Sequence, residues 1–156
     1  MQGGLSWILF GVLAAALAVA AFVDWRSRRI PNWLNAGIAL LAIPFWWAGS
    51  LSLWPDVAVQ IGLATAILLL FWLAFSVGMM GGGDVKMIAA LALWMPPLAM
   101  LKLLLVMSLA GGALTIAMLI PHRMAKSAGQ PEIPYGIAIA FAGFWLISER
   151  ILNQFV

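Results

Sequence analysis

The stretch VAVQIGLATAILLLFWLAFSVGMMGGGDVK, residues 57–86, decides the fold of this chain. It opens with an uncharged apolar run of about 20 residues, the length that an α-helix needs to cross a bilayer. Gly81, Gly82 and Gly83 interrupt the run, and Asp84 follows them directly. The stretch therefore predicts a membrane helix, a glycine-rich turn and a second helix that carries an acid near its start.

The composition extends this prediction to the whole chain. Of the 156 residues, 65% are hydrophobic and 8% are charged, and the mean hydropathy is +1.09. Such a chain is typical of an integral membrane protein and excludes a soluble core. We predict an all-α protein in which residues 1–156 form a single transmembrane domain. Turn signals divide it into six transmembrane helices at 5–23, 33–53, 57–77, 85–95, 98–120 and 134 to about 148.

The fourth helix is short, because its residues rise only about 16 Å against a hydrocarbon core of about 30 Å. If Pro96 and Pro97 form a turn at the far surface, the connections at 24–32, 79–84 and 121–133 all lie on one side. Most of the positive charge then lies on that side too, which the positive-inside rule assigns to the cytoplasm, with both termini outside. The net charge of +3 therefore reflects topology, and we expect no nucleic-acid partner.

Two further residue types bear on function. The chain has no cysteine, so thiolate zinc sites and cysteine nucleophiles are excluded, and we expect neither a metal nor a cofactor. Tryptophans fall toward the predicted helix ends, which is typical of anchors at the membrane surface and favours lipids as partners. We assign that role to Trp7, Trp25, Trp33, Trp46, Trp47, Trp54 and Trp94.

Asp24 and Asp84 are the main chemical signal, since ionisable groups at membrane depth are costly and usually functional. Both are predicted at the cytoplasmic ends of their helices, where two nearby carboxyl groups can share one proton near neutral pH. Such a pair can activate water and protonate a peptide carbonyl. Glycines before Asp84 would permit positive φ and close backbone approach. The alternatives are that Asp84 caps a helix and that Asp24 only balances nearby arginines.

Three segments resemble type IV prepilin peptidases, the GxGD class of membrane aspartyl proteases. Residues 24–32 (DWRSRRIPN) are similar to the segment with the family's first aspartate, and residues 81–86 (GGGDVK) to its GxGD segment. Residues 133–140 (IPYGIAIA) are similar to the start of the family's last helix. The segments occur in the family's order and span nearly the whole chain.

The resemblance implies an aspartyl endopeptidase of the prokaryotic inner membrane, with its active site facing the cytoplasm. It would remove the basic leader of prepilins or pseudopilins, cutting after a glycine ahead of their apolar helix. The resemblance makes Asp24 and Asp84 the catalytic pair and Gly81 and Gly83 the motif glycines. Lys86, Pro134, Tyr135 and Gly136 match positions in the family's segments, and we assign them supporting or substrate-binding roles. Glu132 is added from the sequence alone as a candidate third acid of the site, and the alternative is a solvated loop acid.

One difference from the longer family members narrows the predicted activity. Longer members carry a cytoplasmic insert with paired CxxC motifs and also N-methylate the mature pilin, but this chain has no room for the insert and no cysteine. We therefore expect no methyl transfer. The chain resembles the short, peptidase-only members associated with tight-adherence (Flp) pili. The sequence leaves the oligomeric state open.

Two other classes of function remain at this point. A small proton- or cation-coupled transporter also uses intramembrane acids and broken helices, although no inverted repeat is visible and both acids are predicted at helix ends. A non-catalytic pilus or secretion assembly factor would tolerate the loss of both carboxyl groups. Asp24→Asn and Asp84→Asn variants separate the three classes.

Overall fold

The computed structural model describes residues 4–124 and 133–152, and side chains in all of these except 120–124. Within this part the chain forms six α-helices and one π-helical turn, at Leu53–Val57, that leads into α3. The helices are α1 (Gly4–Ser27), α2 (Asn32–Ala48), α3 (Ala58–Ser76), α4 (Gly82–Ala92), α5 (Pro97–Met124) and α6 (Tyr135–Leu152). The all-α prediction is confirmed.

Four segments are long and apolar enough to cross a membrane: Gly4–Ser27, Leu53–Ser76, Pro97–Leu119 and Tyr135–Leu152. They correspond to α1, α3 with its preceding turn, α5 and α6. α2 has 17 residues and α4 has 11, so these two helices fall short of that length. The prediction of six transmembrane helices is therefore supported for four of them only.

α4 lies at the centre of the helix bundle. It packs against α2, α3 and α6, and most of its residues are buried. α1 packs against α2 and α6, and α5 packs against α6. Large apolar side chains on the outer helices remain exposed, as expected for helices whose outer surfaces face lipid rather than water. The short helix is thus enclosed by longer ones.

The two ends of the bundle differ in chemistry. α1 begins and α6 ends at the same end, where Arg150 Cζ lies 5.2 Å from the centroid of the Phe10 ring. At the other end, the last turns of α1 meet the first turn of α6, and Asp24 lies against Gly136. The predicted turn at Pro96 and Pro97 is confirmed, because α4 has ended by Ala92 and α5 begins at Pro97, a favourable position for proline.

Trp94 is not the surface anchor that its position in the sequence predicts. Its side chain is 1% exposed, and its Nε1 donates a hydrogen bond to Ile38 O at 2.9 Å. The ring stacks on Phe45 with a centroid distance of 4.8 Å. Trp94 follows the central helix α4 and therefore faces protein, whereas Trp25, Trp33, Trp47 and Trp54 are exposed as predicted.

We expect Trp94→Phe to lower the free energy of unfolding by about 1–3 kcal/mol, because it removes a buried hydrogen bond and core volume. Trp47→Phe is the matched control, since Trp47 is 79% exposed, and it should change stability by less than about 0.5 kcal/mol. Reversible unfolding in mixed detergent micelles measures both. Equal effects of the two changes would contradict the buried role of Trp94.

Candidate functional site

Asp24 is buried at the junction of α1 and α6. Its side chain is 3% exposed, and the backbone N–H groups of Gly136 and Ile137, in the first turn of α6, interact with its carboxylate. The Arg28 guanidinium interacts with it electrostatically. Within residues 4–124 and 133–152, its Oδ2 atom has no hydrogen-bond partner. One carboxylate oxygen is thus left without a protein donor.

Gly136 allows this arrangement because it has no side chain. A Cβ atom at this position would lie 2.8 Å from Asp24 Oδ2 and 2.8 Å from Ile30 Cδ1. Both separations are shorter than real Cβ contacts. Glycine therefore lets the start of α6 approach the carboxylate of Asp24 directly.

Asp84 is the third residue of α4 and is 8% exposed. The N-cap residue is Gly81, whose backbone is extended at φ −72° and ψ 141°, and its N–H donates a hydrogen bond to the Asp84 carboxylate. This is the return bond of a capping box, from the N-cap N–H to the side chain at the third helical position. Asp84 therefore contributes to the start of the helix, but it is not the N-cap residue itself.

The motif glycines serve close packing rather than unusual backbone angles. A Cβ on Gly83 would lie 3.1 Å from Ile30 Cβ and 3.1 Å from Ile30 O, and one on Gly81 would lie 2.8 Å from Asp84 Oδ2. The expectation of positive φ in this turn is wrong for the described residues, because Gly78 is the glycine with a positive φ, at 75°. The turn is compact because helix α4 begins within it, at Gly82.

The two aspartates share one cavity. It has a volume of about 270 Å³ and is lined by Asp24, Arg28, Arg29, Ile30, Gly81, Gly82, Gly83 and Asp84. The charge of Asp24 acts on Asp84, yet in the part of the chain that the structure describes no hydrogen bond joins their carboxyl groups. A cavity of this size has room for several water molecules. The structure thus places both acids at one end of the bundle, around a common space.

Four other predicted site residues, Lys86, Pro134, Tyr135 and Gly136, do not line this cavity. Lys86 Nζ donates a hydrogen bond to Asn32 Oδ1 at 2.8 Å, which links α4 to α2. Pro134 is fully buried. The Tyr135 ring packs against Gly111 of α5, where an added Cβ would lie 3.3 Å from the ring. Glu132 lies outside the described residues.

Three residues at the site were missed as site residues in the sequence. Arg28 and Arg29 line the cavity, although in the sequence their charge indicates only topology. Arg28 directly follows the last residue of α1 and has a positive φ of 55°. Asn35 lies on α2, and its Nδ2 donates a hydrogen bond to Gly83 O at 2.9 Å. A polar residue one turn into an apolar helix is a signal that could have identified it.

The described residues contain no group of three or more histidine, cysteine, aspartate or glutamate side chains that could hold a metal ion. The cavity itself brings together a pair of buried carboxyl groups and two arginine side chains. Two acids in such a cavity can hold and transfer protons.

A comparison with protein families matches residues 11–116 of the chain to the type IV leader peptidase family. No curated protein and no solved structure matches the chain. The matched range includes both aspartates and the glycine turn, while the Pro134, Tyr135 and Gly136 segment lies beyond it. Since the match covers more than half of the chain, this membrane protein belongs to the type IV leader peptidase family.

Proposed function

We propose that Asp24 and Asp84 are the catalytic pair of a membrane-embedded aspartyl endopeptidase that removes the leader of type IV prepilins or pseudopilins. The observation that carries the proposal is the single cavity that both buried carboxyl groups line. The family match supports leader-peptidase activity in general. Peptide hydrolysis without methyl transfer is the proposed activity, and residues 1–156 act as one domain.

The mechanism uses one proton shared by the pair. The ionised carboxylate accepts a proton from water as the water oxygen attacks the scissile carbonyl carbon, and the protonated partner donates its proton to the carbonyl oxygen. The resulting gem-diol collapses when the protonated carboxyl group donates its proton to the amide nitrogen, the ionised partner accepts a proton from one hydroxyl, and the C–N bond breaks, which leaves a carboxylic acid and an amine. The shared proton belongs to the pair rather than to one residue.

The charge distribution supports a cytoplasmic orientation of the site. Arg28 and Arg29 line the aspartate cavity, and Lys86 lies nearby on α4. By the positive-inside rule this end faces the cytoplasm, with both chain ends on the other side of a prokaryotic inner membrane. The short connection from Asp24 to Asn32 and the lack of cysteine favour substrates of the Flp type, and lipids surround the apolar outer surface.

The test is cleavage of a purified Flp-type prepilin by the purified protein in detergent, with the products identified by mass spectrometry. We expect one cut, after a glycine that precedes the apolar helix, and a mature fragment with an unmethylated N-terminus. Lys102→Gln is a matched surface control, because Lys102 pairs with Glu149 at the end of the bundle away from the aspartates. No cleavage of any leader-bearing substrate by the folded protein would contradict the proposal.

A further inference from the structure

A second cavity lies beside the glycine turn, between α2 and α3. Both helices pack against α4 but make few contacts with each other, so α4 forms the floor of a groove of about 390 Å³. The middle of this groove is lined by small side chains: Ala36, Ala39, Ala64, Ala89 and Ala90. Small residues allow another helix to approach closely within a membrane.

Asn35 lines this groove next to the glycine turn. Its hydrogen bond to Gly83 O, at 2.9 Å, fixes the orientation of the amide, because a carbonyl oxygen only accepts. The Oδ1 atom is then an acceptor, and within the described residues it has no partner. The side chain is 4% exposed. A buried acceptor of this kind is costly unless a donor reaches it.

None of the described residues lines both the groove and the aspartate cavity, but a hydrogen bond links their walls at the glycine turn. Asn35 contacts Gly83, whose neighbour along the chain is Asp84, and Asn32 and Lys86 form a hydrogen-bonded link at the edge of the groove. A ligand lying in the groove with one end at Asn35 therefore also lies beside the proposed reacting groups.

We propose that this groove receives the apolar helix of the substrate, and that a shift of the Asn35 side chain on binding exposes its buried Oδ1, which then accepts a hydrogen bond from a backbone N–H in the first turn of that helix. The inference rests on the proposed function. The N–H groups of a first helical turn have no partner within their own helix. A substrate that is cut just before its apolar helix brings those groups to the end of the groove at the glycine turn, where Asn35 supplies the missing acceptor.

Photo-cross-linking tests the location. The photoreactive residue p-benzoylphenylalanine replaces Ala39 in the groove or Ala18 on the exposed surface of α1, both in the Asp84→Asn background, and a biotin-labelled substrate with leader and apolar helix is added. We expect substrate adducts at position 39 at a yield about tenfold above that at position 18, and competition by unlabelled substrate. Adducts with lipid only, or equal yields at both positions, would overturn the groove assignment.

A double-mutant cycle tests the hydrogen bond. Esters replace, one at a time, the backbone amides in the first turn of the substrate helix, which removes a single N–H without adding bulk. One ester should lower kcat/KM about tenfold with the parent protein, the effect of one hydrogen bond, and less than about twofold with Asn35→Leu. Equal losses with both proteins at every position would overturn the role of Asn35.

The outcomes separate this inference from the proposed function. If the parent protein cleaves no substrate, or if Asp84→Asn cleaves as fast as the parent, the proposed function fails. If cleavage depends on Asp84 but neither the cross-link nor the ester effect is found, the groove proposal alone fails. Should Asn35→Leu not fold, the cross-linking at position 39 still decides where the substrate helix binds.

Discussion

Replacing Asp84 by asparagine is expected to lower the rate of prepilin cleavage by about 10²–10⁴-fold, and Asp24→Asn by a similar factor. Each amide keeps the size of the carboxyl group but neither accepts a proton from water nor donates one to the carbonyl oxygen. The bond from Gly81 N–H to residue 84 can persist, because asparagine retains an acceptor oxygen. We therefore expect the loss to be chemical, with the start of α4 preserved.

Single-turnover cleavage at saturating enzyme measures this loss, and thermal unfolding in detergent checks that each variant is folded. Asp56→Asn is the matched control. Asp56 is also an acid at a helix start, but it accepts hydrogen bonds from Ser52 N and Ser52 Oγ, at 3.0 and 2.9 Å, and lies with Arg150 at the opposite end. Comparable activity of the Asp84 and Asp56 variants would rule out the carboxyl pair as the catalytic group.

Gly136→Ala is the second change with a large expected effect. The new Cβ would lie 2.8 Å from Asp24 Oδ2 and 2.9 Å from its Cγ, so the carboxylate or the start of α6 must move. A displacement of about 1 Å at a catalytic group costs about 10²-fold in rate. Overpacking at this buried junction should also lower stability by about 1–3 kcal/mol.

Gly112→Ala separates the steric effect from helix propensity. Gly112 lies within α5, and no atom of the residues that the structure describes comes within 4 Å of a Cβ built there, apart from the backbone of α5 itself. Alanine in a helix is favoured over glycine by about 0.5–1 kcal/mol, so this variant should keep its activity and gain some stability. Initial rates and unfolding temperatures of the two variants give the comparison. A Gly136→Ala protein that cleaves at the parent rate would show that Asp24 does not depend on this contact.

The elements of the fold could be predicted because the breaks between them are local. Proline or clustered glycine marks the turns before α2, α4 and α5, so these turns followed directly from the sequence, although Pro44 and Gly112 lie inside helices. The predicted end of α2 is wrong, because the prediction extends the helix to residue 53, whereas α2 ends at Ala48. Gly49 and Ser50, the latter at a positive φ of 52°, stop the helix before a π-helical turn begins.

The lateral arrangement of the helices could not be predicted in the same way. Membrane helices are apolar on all sides, so the pattern of residues does not reveal which side faces protein and which faces lipid. That is why Trp94 was assigned to the surface and why Asn35 was overlooked. Asp24 and Asp84 could be identified because a charged group in an apolar helix is conspicuous whichever way the helix turns, although their catalytic role remains a proposal.

Ile30 lies where the connection after α1 meets both α4 and α6. It is 7% exposed. An added Cβ would lie 3.1 Å from Ile30 Cβ at Gly83 and 2.8 Å from Ile30 Cδ1 at Gly136, so the Ile30 side chain fills the space between α4, which carries Asp84, and the first turn of α6, which contacts Asp24. The distance between these two helix starts is consequently limited by an uncharged neighbour, whose size can be changed without altering either ionisable group.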